Sequence, residues 1–279
     1  MSVNLQFLKL GLGCLLLVLP VALLVCAGIY VLSRRIKNAG VIDVFWGFGL
    51  GALALVYAAL SWPLNAKGWL VLAMALLASA RLGLHLLRRF LQEHPVEDAR
   101  YTAFRHAWPR HPEWMMFGVY ALQGLLMVLV SAPVAWAIAS SALLNAQLGI
   151  LDFIACVSFI AGWGIEWLAD EQLARFKRDP NNRGKTCQVG LWRYSRHPNY
   201  FGEWLMWLGY FCVALPLPYG WVTMVSPVLM YVFLTRVTGV AATEARAVLS
   251  RPDYARYQQT TSAFFLLPPK RPGAGPAKK

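Results

Sequence analysis

Long, unbroken apolar runs, each closed by a short polar or Pro/Gly-rich break, dominate this chain. They extend from Leu10 to Leu32, Val41 to Leu60, Trp69 to Phe90, Trp114 to Ala139, Ile150 to Leu168, Tyr200 to Leu215 and Trp221 to Thr238. About 20 consecutive apolar residues in a helix cross the roughly 30 Å hydrocarbon core of a bilayer. The apolar positions are consecutive and do not alternate with polar ones, so the pattern predicts helices and not the strands of a barrel. Trp62-Pro63-Leu64-Asn65 and Pro216-Leu217-Pro218-Tyr219-Gly220 read as tight turns. Pro20 lies inside the first run, where membrane helices tolerate it. The expected architecture is an all-α integral membrane bundle of about seven transmembrane helices. It forms one domain over residues 1–267, and residues 268–279, rich in Pro, Gly and Lys, form a disordered basic tail.

Composition supports a membrane class. Of 279 residues, 58% are hydrophobic and only 14% are charged, where a soluble domain carries nearer a quarter charged. The net charge of +13 has a topological meaning, because the 26 Lys and Arg fall almost wholly in alternate loops. Arg34, Arg35 and Lys37 follow the first run, Arg100, Arg105 and Arg110 the third, and a dense group from Arg175 to Arg196 the fifth; the other loops hold only Lys67. The positive-inside rule places the N-terminus outside and the C-terminus in the cytoplasm. No nucleic-acid-binding motif competes with that reading, so no nucleic-acid partner is expected. The five cysteines include no CxxC pair, and all but Cys187 lie in apolar runs, which argues against disulfides and a zinc site. The first run is too long for a signal-peptide core and is read as a retained span.

Charges inside membrane helices are costly and mark function by default. Here they are Asp43, Arg81, Glu166, Asp170, Glu203 and Arg236, with His85 and Asn199 beside them. In the expected topology all fall toward the cytoplasmic side, which predicts a polar cavity open to that side. Each also has a plainer explanation. Arg81 and Arg236 can snorkel to the interface, and Asp43 can pair with Arg34 or Arg35. Glu166 and Asp170 share a helix face and need a donor or cation nearby, which Lys177 or Arg193 can supply. Asp152 reads as structural. The densest stretch is Trp192-Arg-Tyr-Ser-Arg-His-Pro-Asn-Tyr-Phe-Gly-Glu203. Arg193, Arg196 and His197 precede a helix N-terminus, where free N–H groups favour anions such as nucleotide phosphates. Neither GxGxxG nor GxxxxGK[ST] occurs, so a Rossmann or P-loop site is excluded.

Trp167-Leu-Ala-Asp170, Gly190-Leu-Trp192, Tyr194-Ser-Arg-His-Pro-Asn-Tyr-Phe-Gly-Glu203 and Trp207-Leu-Gly-Tyr210 resemble the C-terminal domain of steroid 5-alpha-reductases, especially their bacterial relatives. Leu122-Gln-Gly124, Arg236, Asp253-Tyr254 and Ser262-Ala-Phe-Phe265 extend the likeness, which covers the last 170 residues or so. The resemblance implies an NADPH-dependent reductase of a conjugated ketone, a 3-oxo-4-ene steroid or similar lipid entering from the bilayer. A bacterial inner-membrane location follows from the likeness to the bacterial relatives, and a monomer without a metal is expected. By motif position the resemblance assigns Glu166, Asp170, Lys177, Arg193, Tyr194, His197, Asn199, Glu203 and Arg236 to the cofactor site. Glu166 stands where the family can carry Asn. Ile42-Asp43 matches the family's substrate-side Gln-Glu pair loosely, and the Tyr that partners it in the third span has no counterpart. Asp43, His85 and Arg81 are therefore the candidate catalytic groups, with a protonated Asp43 or His85 as donor to the carbonyl. Arg196-His197-Pro198 followed by Tyr200 also resembles membrane methyltransferases of the isoprenylcysteine carboxyl type, which use S-adenosylmethionine. A transporter is disfavoured, because no pair of broken helices recurs in two halves.

Overall fold

The computed structural model describes residues 3–237 and 239–270. Eleven α-helices account for most of them: α1 (Val3–Ile36), α2 (Val41–Leu60), α3 (Ala66–Glu93), α4 (Ala99–Ala107), α5 (Pro112–Val130), α6 (Ala132–Leu143), α7 (Ile150–Arg178), α8 (Pro198–Ala214), α9 (Val225–Val232), α10 (Val240–Ser250) and α11 (Tyr254–Thr260). Among the described residues there is no strand; Ser195 and Ser262 form one isolated parallel bridge. Among the described residues, six helical stretches are long and apolar enough to cross a membrane: α1, α2, α3, α5, α7 and the stretch Gly220–Val237. The chain is a multi-pass helical membrane protein.

Local chemistry fixes several boundaries. The turn after α2 ends at Asn65, whose side chain accepts from the Gly68 amide (2.9 Å) and so caps α3. Asp98 caps α4 by accepting from the Arg100 amide. The fourth expected span is corrected: the run from Trp114 to Ala139 is two helices that break at Ser131. Pro133 sits in the first turn of α6, where its missing N–H costs nothing. Every residue from Ala132 to Ser140 is buried, so this 12-residue helix is core. The last expected span is also composite, a 3-10 turn at Gly220–Met224, then α9, then a π turn at Phe233–Val237. The expected tail begins later than Pro268, because the Lys270 amide still donates to the Thr260 carbonyl (2.7 Å). Residues 271–279 lie outside the described residues.

Contacts group the chain into two compact units, residues 1–152 with 210–226, and residues 153–209 with 227–279. In the first, α2 and α3 pack most extensively. A Cβ on Gly47 would lie 2.7 Å from the Gly83 Cα, so only glycine permits this close crossing. A buried ion pair ties the start of α3 to the start of α7: Lys67 Nζ lies 2.5 Å from both Asp152 oxygens, and each side chain is about 95% buried. In the second unit, α7 and α8 cross at Gly162 and Gly202. A Cβ on either would lie 2.5 Å from the other's carbonyl oxygen.

Candidate functional site

The crossing at Gly162 and Gly202 sets the geometry of the expected cofactor residues. Gly202 packs against the Glu166 backbone, so Glu166 is buried in the second unit. One turn further along α7, Asp170 Oδ1 accepts from Asn199 Nδ2 (3.2 Å), at the first turn of α8. Asn199 Oδ1 is buried and accepts no hydrogen bond. Glu203 lies one turn beyond Asn199 and is half-buried. Lys177, Arg193, Tyr194 and Arg236 are exposed. The structure thus brings Asp170 and Asn199 into direct contact and sets Glu166 beside the same crossing. Asn199 donates to Asp170 at this crossing, a partner the sequence reading did not pair with it.

His197 is placed differently from its neighbours in the motif. It is buried, stacks on Tyr200 (ring centroids 5.2 Å, planes within 2°), and its Nε2 lies 3.2 Å from Glu244 Oε1. Arg196 shares that carboxylate, with Nε 2.6 Å and Nη2 3.0 Å from its two oxygens, and Nη1 donates to the Gln258 carbonyl. Burial pushes the Glu244 carboxyl up, but hydrogen bonds from His197, Arg196 and Gln258, with the Arg196 charge, outweigh it and hold the group at about 2. Burial, opposed by Glu244, holds the His197 imidazole below its usual value. The C-terminal segment completes the clamp. Arg196 N donates to Ser262 O, Ser195 Oγ to Phe264 O, and Leu267 N to Tyr194 O. Tyr257 donates to the Trp192 carbonyl. The basic loop from Trp192 to His197 is therefore braced by α10, α11 and residues 261–267. Glu244, Tyr257 and Ser262 were missed as partners, since nothing local in the sequence joins them to this loop.

The catalytic candidates lie in the first unit. Asp43 pairs with neither Arg34 nor Arg35: Arg34 is held by Glu113 (2.6 Å). Asp43 Oδ2 instead accepts from Arg100 (2.7 Å) and Oδ1 from the Tyr101 hydroxyl (2.7 Å). Arg100 also reaches Asp98, which Arg89 shares. Burial raises Asp98, yet Arg100 and Arg89 overcome it and hold the carboxyl at about 2. Tyr101 is buried among Cys26, Ile42 and Met116. Burial first, and the Asp43 charge second, push its phenol far up, so it keeps its proton. Both Asp43 oxygens are thus engaged by the start of α4. Arg81, half-buried, and His85, exposed, lie four residues apart on α3. Tyr101 is the group sequence reasoning missed. It lies in α4, within a stretch read as loop, and its signal was the Asp98 cap that starts that helix.

Among the described residues no group of three or more His, Cys, Asp or Glu side chains converges to hold a metal. The apolar helices and these two polar clusters define a multi-pass membrane protein with its ionisable groups concentrated at a few helix ends. The chain belongs to the family described as "Protein of unknown function (DUF1295)", which matches residues 29–261. It is also similar to an uncharacterized protein of Schizosaccharomyces pombe, 27% identical over 257 residues, covering 82% of this chain and 73% of that one. No solved structure matches.

Proposed function

We propose that this protein is an NADPH-dependent membrane reductase of the C=C bond of a conjugated ketone, carried by a 3-oxo-4-ene steroid or a similar lipid. In this reading it crosses the bacterial inner membrane seven times, with α8 as the sixth crossing, the N-terminus outside and the C-terminus in the cytoplasm. The observation that carries it is the Asn199–Asp170 contact at the α7–α8 crossing, with Asn199 Oδ1 left as a buried acceptor. A buried acceptor without a donor costs about 1–3 kcal/mol, and a ligand N–H relieves that cost. The carboxamide or adenine amine of a dinucleotide carries such a group. Exposed Lys177, Arg193 and Arg236 suit its phosphates, and exposed Tyr194 offers a ring and a hydroxyl. The residues fit the cofactor.

When bound, NADPH supplies the hydride that reduces the β-carbon. The protein's part is to place the substrate and to stabilise negative charge on the enolate oxygen until the enolate's α-carbon takes a proton from water. Arg81 and His85 carry N–H groups of the type that stabilise such an oxygen, and both are proposed as donors on that chemistry alone. Asp43, fixed by Arg100 and Tyr101, holds the start of α2 against α4 and is a positioning residue. Arg196 and His197 carry the methyltransferase likeness, yet both are engaged by Glu244, which supports a bracing role for them.

The test is a thermal-shift series on the purified, detergent-solubilised protein with NADPH, NADH and S-adenosylmethionine. A ligand that binds only the folded state raises the melting temperature. NADPH is expected to stabilise the wild type, and Asn199→Ala to lose at least tenfold in NADPH affinity. Stabilisation by S-adenosylmethionine alone would replace the reductase reading with a methyltransferase. Unchanged NADPH affinity in Asn199→Ala would remove the cofactor from the α7–α8 crossing.

A further inference from the structure

A groove of about 590 Å³ opens on the surface of the first unit where α4 turns into α5. Trp108, His111, Trp114, Met115, Gly118 and Leu122 line it. Its size lies in the range of small-molecule sites, but no polar core organises it. Trp108 and Trp114 are 57% and 75% exposed, and Leu122 continues the apolar wall one turn beyond Gly118. Gly118 leaves the floor open: a Cβ built there meets no atom within 4 Å. α5 is one of the helices able to cross a membrane, so the groove starts at the level of its N-terminus and runs along the span. Tryptophans at such a level mark the lipid headgroup region.

The charge at the mouth decides the occupant. Two carboxylates lie nearby, and both are already satisfied. Glu113 is held by Arg34 at 2.6 Å and by the Tyr30 hydroxyl at 2.7 Å. Glu97 is held by Arg105 and accepts from the Ala39 amide. Arg110 lies in the chain between the lining residues Trp108 and His111 and is exposed, with no carboxylate partner among the described residues, whereas Glu113, though exposed, is paired. An apolar slot with a cationic rim at headgroup depth is complementary to a lipid with an anionic headgroup. We infer that this groove binds an anionic phospholipid, with an acyl chain along Trp114, Gly118 and Leu122 and its phosphate at Arg110. This site shares no residue with the Asn199 cluster and does not depend on the reductase reading.

The experiment compares melting of the delipidated, detergent-solubilised protein with added phosphatidylglycerol, phosphatidylcholine of the same chains, or inorganic phosphate. Phosphatidylglycerol is expected to raise the melting temperature at concentrations where phosphatidylcholine and phosphate do not. Gly118→Leu fills the slot and should abolish that gain while melting as wild type without lipid. Arg110→Gln, a surface change that cannot disturb the core, should weaken phosphatidylglycerol binding about fivefold, the worth of one basic residue at an anionic headgroup. Equal stabilisation by phosphatidylcholine, reproduction of the effect by phosphate, or an undiminished gain in both variants would each overturn the assignment.

Discussion

Replacing Lys67 with Met puts a specific number at stake. Lys67 and Asp152 are about 95% buried, and Nζ lies 2.5 Å from both carboxylate oxygens. Removing the ammonium strands a buried carboxylate, which costs about 3–5 kcal/mol. The Gly149 amide, 2.7 Å from Asp152 Oδ2, keeps one hydrogen bond in the variant and puts the cost at the lower end. A chain of this size loses roughly 2–4 °C of melting temperature per kcal/mol, so Lys67→Met should melt about 6–12 °C lower. Asp152→Leu alone strands the ammonium and should cost as much. The double variant replaces the pair with apolar groups, a change that is often neutral or stabilising, and should melt within a few degrees of wild type. Melting of all four proteins in one detergent closes the double-mutant cycle and isolates the coupling. A wild-type melting temperature for Lys67→Met would refute the buried-pair argument. So would a double variant as damaged as the sum of the singles.

Three further outcomes follow from the second unit and from Asp43. Gly202→Val places a Cβ 2.5 Å from the Gly162 carbonyl oxygen; α7 and α8 must part, and NADPH affinity should fall with thermal stability, whereas unchanged binding would dissociate the crossing from the site. Tyr101→Phe removes only the hydrogen bond to Asp43, so it should cost about 1–3 kcal/mol of stability and leave kcat within tenfold, while Arg81→Gln, which removes a proposed N–H donor, should lower kcat about 100-fold; steady-state kinetics with an enone substrate separates them. Glu244 is lowered from 4.5 to about 2, so its contribution is whole above pH 4.5 and lost as pH falls through 2, on the order of 3 kcal/mol in all. His197, lowered from 6.5, adds a loss that starts below pH 6.5, where the unfolded chain binds a proton that the folded one does not. Hydrogen-exchange protection factors in α10 and α11, corrected for intrinsic rates, should fall on acidification, and Glu244→Gln should flatten the dependence below pH 4.5; an identical acid profile in that variant would refute it.

The legible parts of the fold are those where one local rule decides. α2 runs from Val41 to Leu60 as expected, because Gly40 and the Ser61-Trp62-Pro63 turn bound a single apolar run. α3 begins at Ala66, three residues before the expected Trp69, because the Asn65 cap holds an extra turn. The run from Trp114 to Ala139 hid a break, since hydropathy reports only that a segment avoids water. Lipid and protein interior satisfy that condition equally, and a helix apolar on all sides serves either. α6 lies in protein, with Trp136 Nε1 satisfied by the Pro218 carbonyl (3.0 Å), a partner 82 residues away that no window along the chain contains.

The candidate site divides the same way. Residue types that must be paired were visible in the sequence; which residues pair was not. Asp43 was matched to Arg34 and Arg35 because they are near in sequence, yet Arg100 lies 57 residues on and reaches it through α4. Asp170 and Asn199, 29 residues apart, meet because Gly162 and Gly202 let two backbones touch, and neither glycine carries a functional group. Side chains larger than glycine at those positions would separate the helices and move Asp170 away from Asn199 without altering one polar residue of the motif. The chemistry of the cluster is thus written in its polar side chains, and its geometry in two residues that have none.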